Sequence, residues 1–294
     1  MSDGRSFPGV EEFRDAERSL LAELLDSSRL YRTSKDYLDL IDFVARLRNF
    51  APFNAMLIQV QKPGLRFAAS AHDWRLRFDR TIKEGARPLL ILIPFGPVAL
   101  VYDLDDTEGA DLPADVQNAF RATGSLTQAS IARFIDLLYP RGVRVKLVPA
   151  GDGSAGYIWP QVRTAKKGEE PDYRLRVNQT HDPNVQFATL AHELAHLYLG
   201  HLGADFVLEI PDRRGTSHAV RELEAESVSY LVCVRSGIES SSETYLHDYV
   251  TRHTTVDGLD LHTMLRAAGQ VERVLQLTEH TRFEPKSKGK KPNS

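Results

Sequence analysis

The segment His181–His201 reads HDPNVQFATLAHELAHLYLGH, and its reading decides the fold of the second half of the chain. Asp182 suits a helix N-cap, Pro183 the first helical position and Gly200 the C-terminal stop. Between them lies room for a helix of about four to five turns. At about 100° per residue, Phe187, Leu190, Ala191, Leu194 and Leu197 share one side. His192 and His196 share the opposite side, one turn apart. Two imidazoles at i and i+4 can reach one tetrahedral zinc ion, and Glu193 stands beside them, placed to hold and deprotonate the attacking water. An HExxH arises by chance in about one chain in a hundred of this length. The caps and the opposed apolar stripe make two incidental surface histidines the poorer explanation.

A catalytic zinc takes three protein ligands and keeps one position open. His201 is nearest in sequence, but it stands about 140° round the helix from His196, and Gly200 can end the helix first. Its spacing also departs from the metzincin pattern. His218 has no pattern behind it. Downstream, Ser217 to Val232 reads as a second helix with Gly237 near its end. Leu223, Val228, Leu231 and Val234 lie broadly on one side, and Glu222, Glu226, Ser229 and Cys233 on the other. An acidic i, i+4 pair can give one carboxylate to zinc and use the next to accept the N–H of a ligating histidine. Glu222 is therefore the expected third ligand and Glu226 the partner behind it, while Glu224 projects elsewhere.

HELAHLYLGH, followed about 20 residues later by ELEAESVSYL, resembles the ImmA/IrrE-type metallopeptidases; Glu222, Ala225 and Glu226 match the second motif of that family. The resemblance runs from about Tyr157 to Ile238. It implies a gluzincin-like fold with a small sheet over the HExxH helix. In such folds an edge strand pairs with extended substrate, and Tyr173 to Asn178 is the expected strand.

Outward from this core, Val143 to Val148 reads as a strand and Thr127 to Tyr139 as a helix. Further upstream, Pro88 to Pro94 and Val98 to Leu104 read as a hairpin. Helices are expected at Gly9 to Ser27, Lys35 to Arg48, near Pro52 up to Lys62-Pro63-Gly64, and His72 to Phe78. Asp103 to Val116 holds six acidic and no basic residues and reads as a solvated linker. The last apolar periodicity ends near Leu277.

Residues 46–90 carry nine basic residues against three acidic ones, a local charge of +6 in a chain whose total is −3. Phe50, Phe53, Phe67, Trp74 and Phe78 are interleaved with them. Basic residues with aromatics suit single-stranded nucleic acid, although the same rings could form a core. The stretches RLRNFAPFNAMLIQVQKPGLRFAASAHDW, RTIKEGARPLLILIPF and VYDLDDTEG, within Tyr31 to Leu112, resemble the N-terminal domain of ArdC-type antirestriction proteins. That resemblance implies single-stranded DNA binding; from the basic and aromatic residues themselves, Trp74 is the expected stacking residue and Arg66, Arg75 and Lys83 the expected phosphate contacts. Asp105-Asp106-Thr107 departs from it, since relatives often have glutamine before the threonine.

Composition sets the remaining bounds. Hydrophobic residues make up 42% and charged residues 26%, enough for a packed core. The single cysteine, Cys233, excludes a fold held by internal disulfides. The N-terminus has no apolar core of signal-peptide length, and the longest apolar run is far short of the ~20 residues that span a bilayer. A soluble cytoplasmic protein is expected. The predicted fold class is α+β: an N-terminal helix at 1–26, a small α+β ArdC-like domain at 27–112, a zincin-like domain at 113–280 and a disordered basic tail at 281–294.

Three functions compete at this point. One is a zinc endopeptidase cleaving a regulatory protein such as a repressor. Another is a single-stranded-DNA-binding antirestriction or mobile-element protein whose zincin domain is mainly structural. The last is a zinc-stabilised interaction protein. An intact Glu193 separates the first from the last, because a purely structural zinc site needs no general base.

Overall fold

Wherever the sequence sets a 3.6-residue apolar period between a cap and a glycine, a helix forms. The structure is a computed structural model, and it describes residues 34–93, 96–112, 125–149, 155–161, 171–238 and 258–277. The expected helix at Gly9 to Ser27 and the basic tail lie outside the described residues. In chain order the elements are α1 (Ser34–Arg46), α2 (Pro52–Gln61), β1 (Ala68–Ala69), α3 (Ala71–Arg77), β2 (Arg80–Ile82), β3 (Leu89–Ile93), β4 (Gly96–Asp103) and β5 (Thr107–Gly109). Then follow α4 (Gln128–Leu138), β6 (Val143–Val148), β7 (Gly156–Pro160), β8 (Tyr173–Asn178), α5 (Pro183–Tyr198), α6 (His218–Ser236) and α7 (Leu261–Leu275). The class is α+β. No helix among the described residues is long and apolar enough to cross a membrane.

The described residues fall into two compact units, with the division inside α2 between Met56 and Leu57. The first unit takes residues 57–112. Its strands pair antiparallel as β1–β4–β3 and β2–β5. Ala69, Trp74, Phe78 and Leu112 form its core, with Phe67 and Tyr102 packed against them. The acidic stretch from Asp103 belongs to this fold and is no linker over its first seven residues. It makes a short 3-10 turn, Leu104–Asp106, and then β5. Asp103 is 1% exposed and its carboxylate stands 2.6 Å from Lys62 Nζ, so the carboxylates supply counter-charge that composition alone could not locate.

The second unit takes residues 34–56 and 125–277. Residues 34–56 thus pack with the second unit. The reason is Arg235 on α6. Its buried guanidinium donates to the carbonyls of Val44 (2.6 Å), Leu47 (3.1 Å) and Phe50 (2.6 Å) and pairs with the Glu272 carboxylate of α7. Tyr37 donates to Ser227 Oγ at 2.8 Å, and Tyr230 to Asp42 Oδ1 at 3.2 Å. A charge buried this deeply is tolerated only when its donors are all met, so these bonds fix the α1–α2 segment to α6.

The unit's sheet has the order β6–β8–β7, with β6 parallel and β7 antiparallel to β8. Strand β8, expected at an edge, is therefore central. Its Tyr173, Leu175 and Val177 are all buried. The antiparallel edge is β7, a five-residue strand whose Pro160 an edge position accepts. Against the sheet's inner face packs α5, begun by Asp182, whose carboxylate accepts from the N–H groups of Asn184 and Val185. Phe187, Leu190, Ala191, Leu194 and Leu197 are no more than 1% exposed, so the apolar stripe is the core face. Helix α6 is capped by Ser217 and stopped by Gly237 at φ 76°.

Candidate metal centre

Because the apolar stripe of α5 faces inward, His192 and His196 are turned toward α6. There they meet Glu222 in the first turns of that helix. The two Nε2 atoms are 3.2 Å apart. Glu222 places Oε2 3.6 Å from His192 Nε2 and Oε1 3.6 Å from His196 Nε2. Donor atoms about 2.0–2.2 Å from a tetrahedral zinc stand about 3.3–3.6 Å from one another, and one donor atom from each of these three residues lies within 4.8 Å of the others, close enough to converge on one ion. Among the described residues this is the one such group of three histidine or carboxylate donors. His218, the alternative from sequence, has its side chain 79% exposed and reaches only Glu222, at 3.5 Å.

The outer ring nitrogens are tied down by two separate networks. His192 Nδ1 lies 3.1 Å from Glu226 Oε2, the partner expected from the i, i+4 spacing. His196 Nδ1 lies 2.9 Å from His201 Nδ1, and His201 Nε2 lies 3.0 Å from Glu224 Oε2. Glu224 is wholly buried. Arg213 grips it through two bonds of 2.8 and 2.7 Å, and the backbone N–H of Asp260 donates to it at 2.9 Å. Burial opposes ionisation of Glu224, but His201 and Arg213 outweigh it and hold its carboxyl below the usual range. Burial likewise holds the His201 imidazole below its ordinary value. Tautomers follow from this chain of bonds. A carboxylate can only accept, so His201 donates from Nε2 and accepts at Nδ1. His196 then donates from Nδ1, which leaves the lone pair of its Nε2 pointing at the site. Glu226 fixes His192 in the same tautomer.

His201, Glu224, Arg213 and Asp260 were not legible as one network from the sequence. Glu224 projects away from Glu222 on α6, and His201 lies beyond the helix stop. Gly200, at φ +79°, makes the turn that brings His201 back; an added Cβ there would stand 2.0 Å from Pro211 O.

Without a metal the site is a charge cluster. Burial disfavours charge on His192, yet hydrogen bonding to Glu222 and Glu226 and the charges of Glu226 and Glu193 outweigh it and lift the imidazole to about 10. The same bonds from His192 and His196 hold the Glu222 carboxyl far below its ordinary range. Glu193 differs. It is 9% exposed, and burial raises its pKa, against the pull of the two histidines and a backbone bond from Ile158 of β7. A carboxyl group poised upward, beside two imidazoles and an edge strand, suits proton transfer. Strand β7 comes close enough that a Cβ on Gly156 would stand 2.5 Å from Thr189 and 3.5 Å from Glu193 Cγ.

The residues expected to touch DNA are placed otherwise. Trp74 is 0% exposed and donates its indole N–H to Tyr102 O at 2.9 Å. It sits edge-on to Phe67 and tilted against Phe78, so it is a core residue and presents no face to a base. Arg66 pairs with Asp105 at 3.1 Å, and Lys83 donates to the Asp105 carbonyl at 2.8 Å. Arg75 lies exposed on α3.

Comparison with known proteins gives three results. No curated protein matches the sequence significantly. Solved structures similar to this one include the antirestriction protein ArdC of plasmid R388 in its Mn(II)-bound and metal-free forms, at TM-scores of 0.36 and 0.33. In both, identity is 17%, and the match covers 76% of this chain and 82% of the other. Residues 143–252, which hold β6 through α6 and with them His192, Glu193, His196 and Glu222, match the model of the Peptidase M78 family, described as an IrrE N-terminal-like domain.

Proposed function

We propose that the protein is a zinc-dependent endopeptidase in which His192, His196 and Glu222 hold the metal and Glu193 is the general base. The observation that carries this reading is the convergence of one donor atom from each of the three residues within 4.8 Å, with the two Nε2 atoms 3.2 Å apart and each carboxylate oxygen of Glu222 3.6 Å from one of them. Two imidazoles and a carboxylate form a donor set that suits zinc and leaves a coordination position open. Bound there, the ion would act as a Lewis acid, acidifying water and polarising the scissile carbonyl.

The chain's own residues do the rest. Glu193 accepts the proton of the attacking water and returns it to the departing amine; its raised pKa brings it nearer to the neutral range in which both transfers run. Glu226 and the His201–Glu224 pair keep the histidines in one tautomer, so no ring need reorient during a turnover. Strand β7, the edge beside Glu193, offers backbone groups to an extended peptide, the part expected from β8 in the sequence. A protein substrate in extended form is thus the class the site accommodates. The test is Glu193→Gln, assayed against a proteome-derived peptide library by mass spectrometry. The amide keeps the shape and removes the base. Retained zinc with lost cleavage supports the mechanism, whereas cleavage near the wild-type rate overturns it.

A further inference from the structure

The sheet that carries the HExxH helix on one face has an unusual second face. Residues alternate along each strand, so those opposite to the buried Val143, Ile158 and Leu175 point away from α5. They are Arg144 and Lys146 on β6, Arg174 and Arg176 on β8, and Tyr157 and Trp159 on β7. The strand register lines them up in two rows. Arg144 is opposite Arg174 and Arg174 opposite Trp159; Lys146 is opposite Arg176 and Arg176 opposite Tyr157.

We propose that this outer face binds single-stranded nucleic acid, with the four cations holding phosphates and Tyr157 and Trp159 stacking with bases. Like charges directly opposite one another destabilise a sheet, and here both cross-strand β6–β8 pairs are like-charged. Asp172 offsets one row, at 3.8 Å from Arg144 and 3.3 Å from Arg174. Among the described residues no carboxylate pairs with Lys146 or Arg176. A polyanion would relieve that repulsion. The aromatic pair supplies what a merely acidic partner would not use. The rings of Tyr157 and Trp159 are stacked, 5.4 Å between centroids and 17° from parallel, and Tyr157 is 62% exposed. The Arg176 guanidinium lies over the Trp159 ring at 5.2 Å. A pre-stacked aromatic pair with one open face is a platform that a base extends, and every base has a π-face, so sequence preference is weak. Peptide cleavage and this binding would use opposite sides of one sheet, and neither depends on the other.

The test uses the full chain and a labelled deoxythymidine oligonucleotide of about twelve residues, within the span of ordinary single-strand sites. Binding should weaken steeply with added salt. Tyr157→Ala, at an exposed position, should weaken it about five- to 150-fold, the range for loss of one stacked base. Lys146→Glu with Arg176→Glu should weaken it further and flatten the log–log salt slope by about 1.4, for two phosphate contacts at about 0.7 each. Of the two tryptophans only Trp159 lies on this face, so the oligonucleotide should quench fluorescence in the wild type and not in Trp159→Phe. Unchanged affinity in both the Tyr157→Ala and the double charge variant, each shown to be folded, overturns the proposal. Equal competition by polyglutamate of the same charge overturns it too, because stacking would then contribute nothing.

Discussion

Replacing Glu224 by alanine removes a group that touches neither the proposed metal nor substrate, yet the structure gives it two separable effects. Its carboxylate takes two bonds from Arg213, one from His201 and one from the backbone of Asp260, all between 2.7 and 3.0 Å. Only 16% of the Arg213 side chain is exposed, so the variant strands a mostly buried cation along with two other donors. Breaking one side of such a pair costs about 3–5 kcal/mol. At about 2–4 °C per kcal/mol for a unit of this size, melting should fall by about 6–20 °C. Loss of the acceptor also frees His201 to turn over its tautomer, and with it His196. Losing a partner behind a ligand costs about ten- to 100-fold in metal affinity. Glu224→Leu combined with Arg213→Leu separates the two effects. The double variant removes both charges, so most of the lost stability should return while zinc affinity stays low. Thermal unfolding by circular dichroism and a competitive zinc titration read the two quantities. A single variant within 1 kcal/mol of the wild type, or a double variant with wild-type zinc affinity, would refute the proposed relay.

Two further outcomes follow from the geometry. Trp74→Ala should destabilise the first unit by about 3–5 kcal/mol, the range for deleting a large core side chain, whereas a stacking tryptophan could be removed with little effect on denaturant midpoints. In metal-free protein the His192 contribution to stability is complete below its ordinary 6.5 and is lost as pH rises toward about 10, while that of Glu222 is present above its ordinary 4.5 and is lost as pH falls. Chelator-treated protein should therefore be most stable between about pH 4.5 and 6.5, with melting temperatures falling on the alkaline side. A flat profile there would show that the charge cluster does not form.

The parts that sequence made legible are those where one local rule acts alone. The cap at Asp182, the stops at Gly200 and Gly237 and the i, i+4 spacing of His192 with His196 and of Glu222 with Glu226 depend on residues within a turn or two of each other. The structure puts these elements where the spacing predicts, with α5 begun by Asp182 and α6 ended by Gly237. What could not be read depends on pairing across long separations. Strand β7 is five residues long between a glycine-rich segment and Pro160, so no period announces it, and without it β8 looks like an edge. The Arg235 anchor joins segments 191 residues apart at Val44, and nothing near Val44 marks those carbonyls as acceptors. Trp74 illustrates the limit of composition. Aromatics among basic residues fit a binding face and a core equally well, and only the burial of Trp74 against Phe67 and Phe78 decides between them.

The metal content of the purified protein tests the central claim most directly. Mass-spectrometric zinc analysis of wild type should give about one ion per chain, and His192→Ala, shown to be folded, should hold almost none, since two donors are too few for a tight site. Stoichiometric zinc retained in His192→Ala would contradict the account, because an ion that does not need His192 is not at the centre that Glu193 serves.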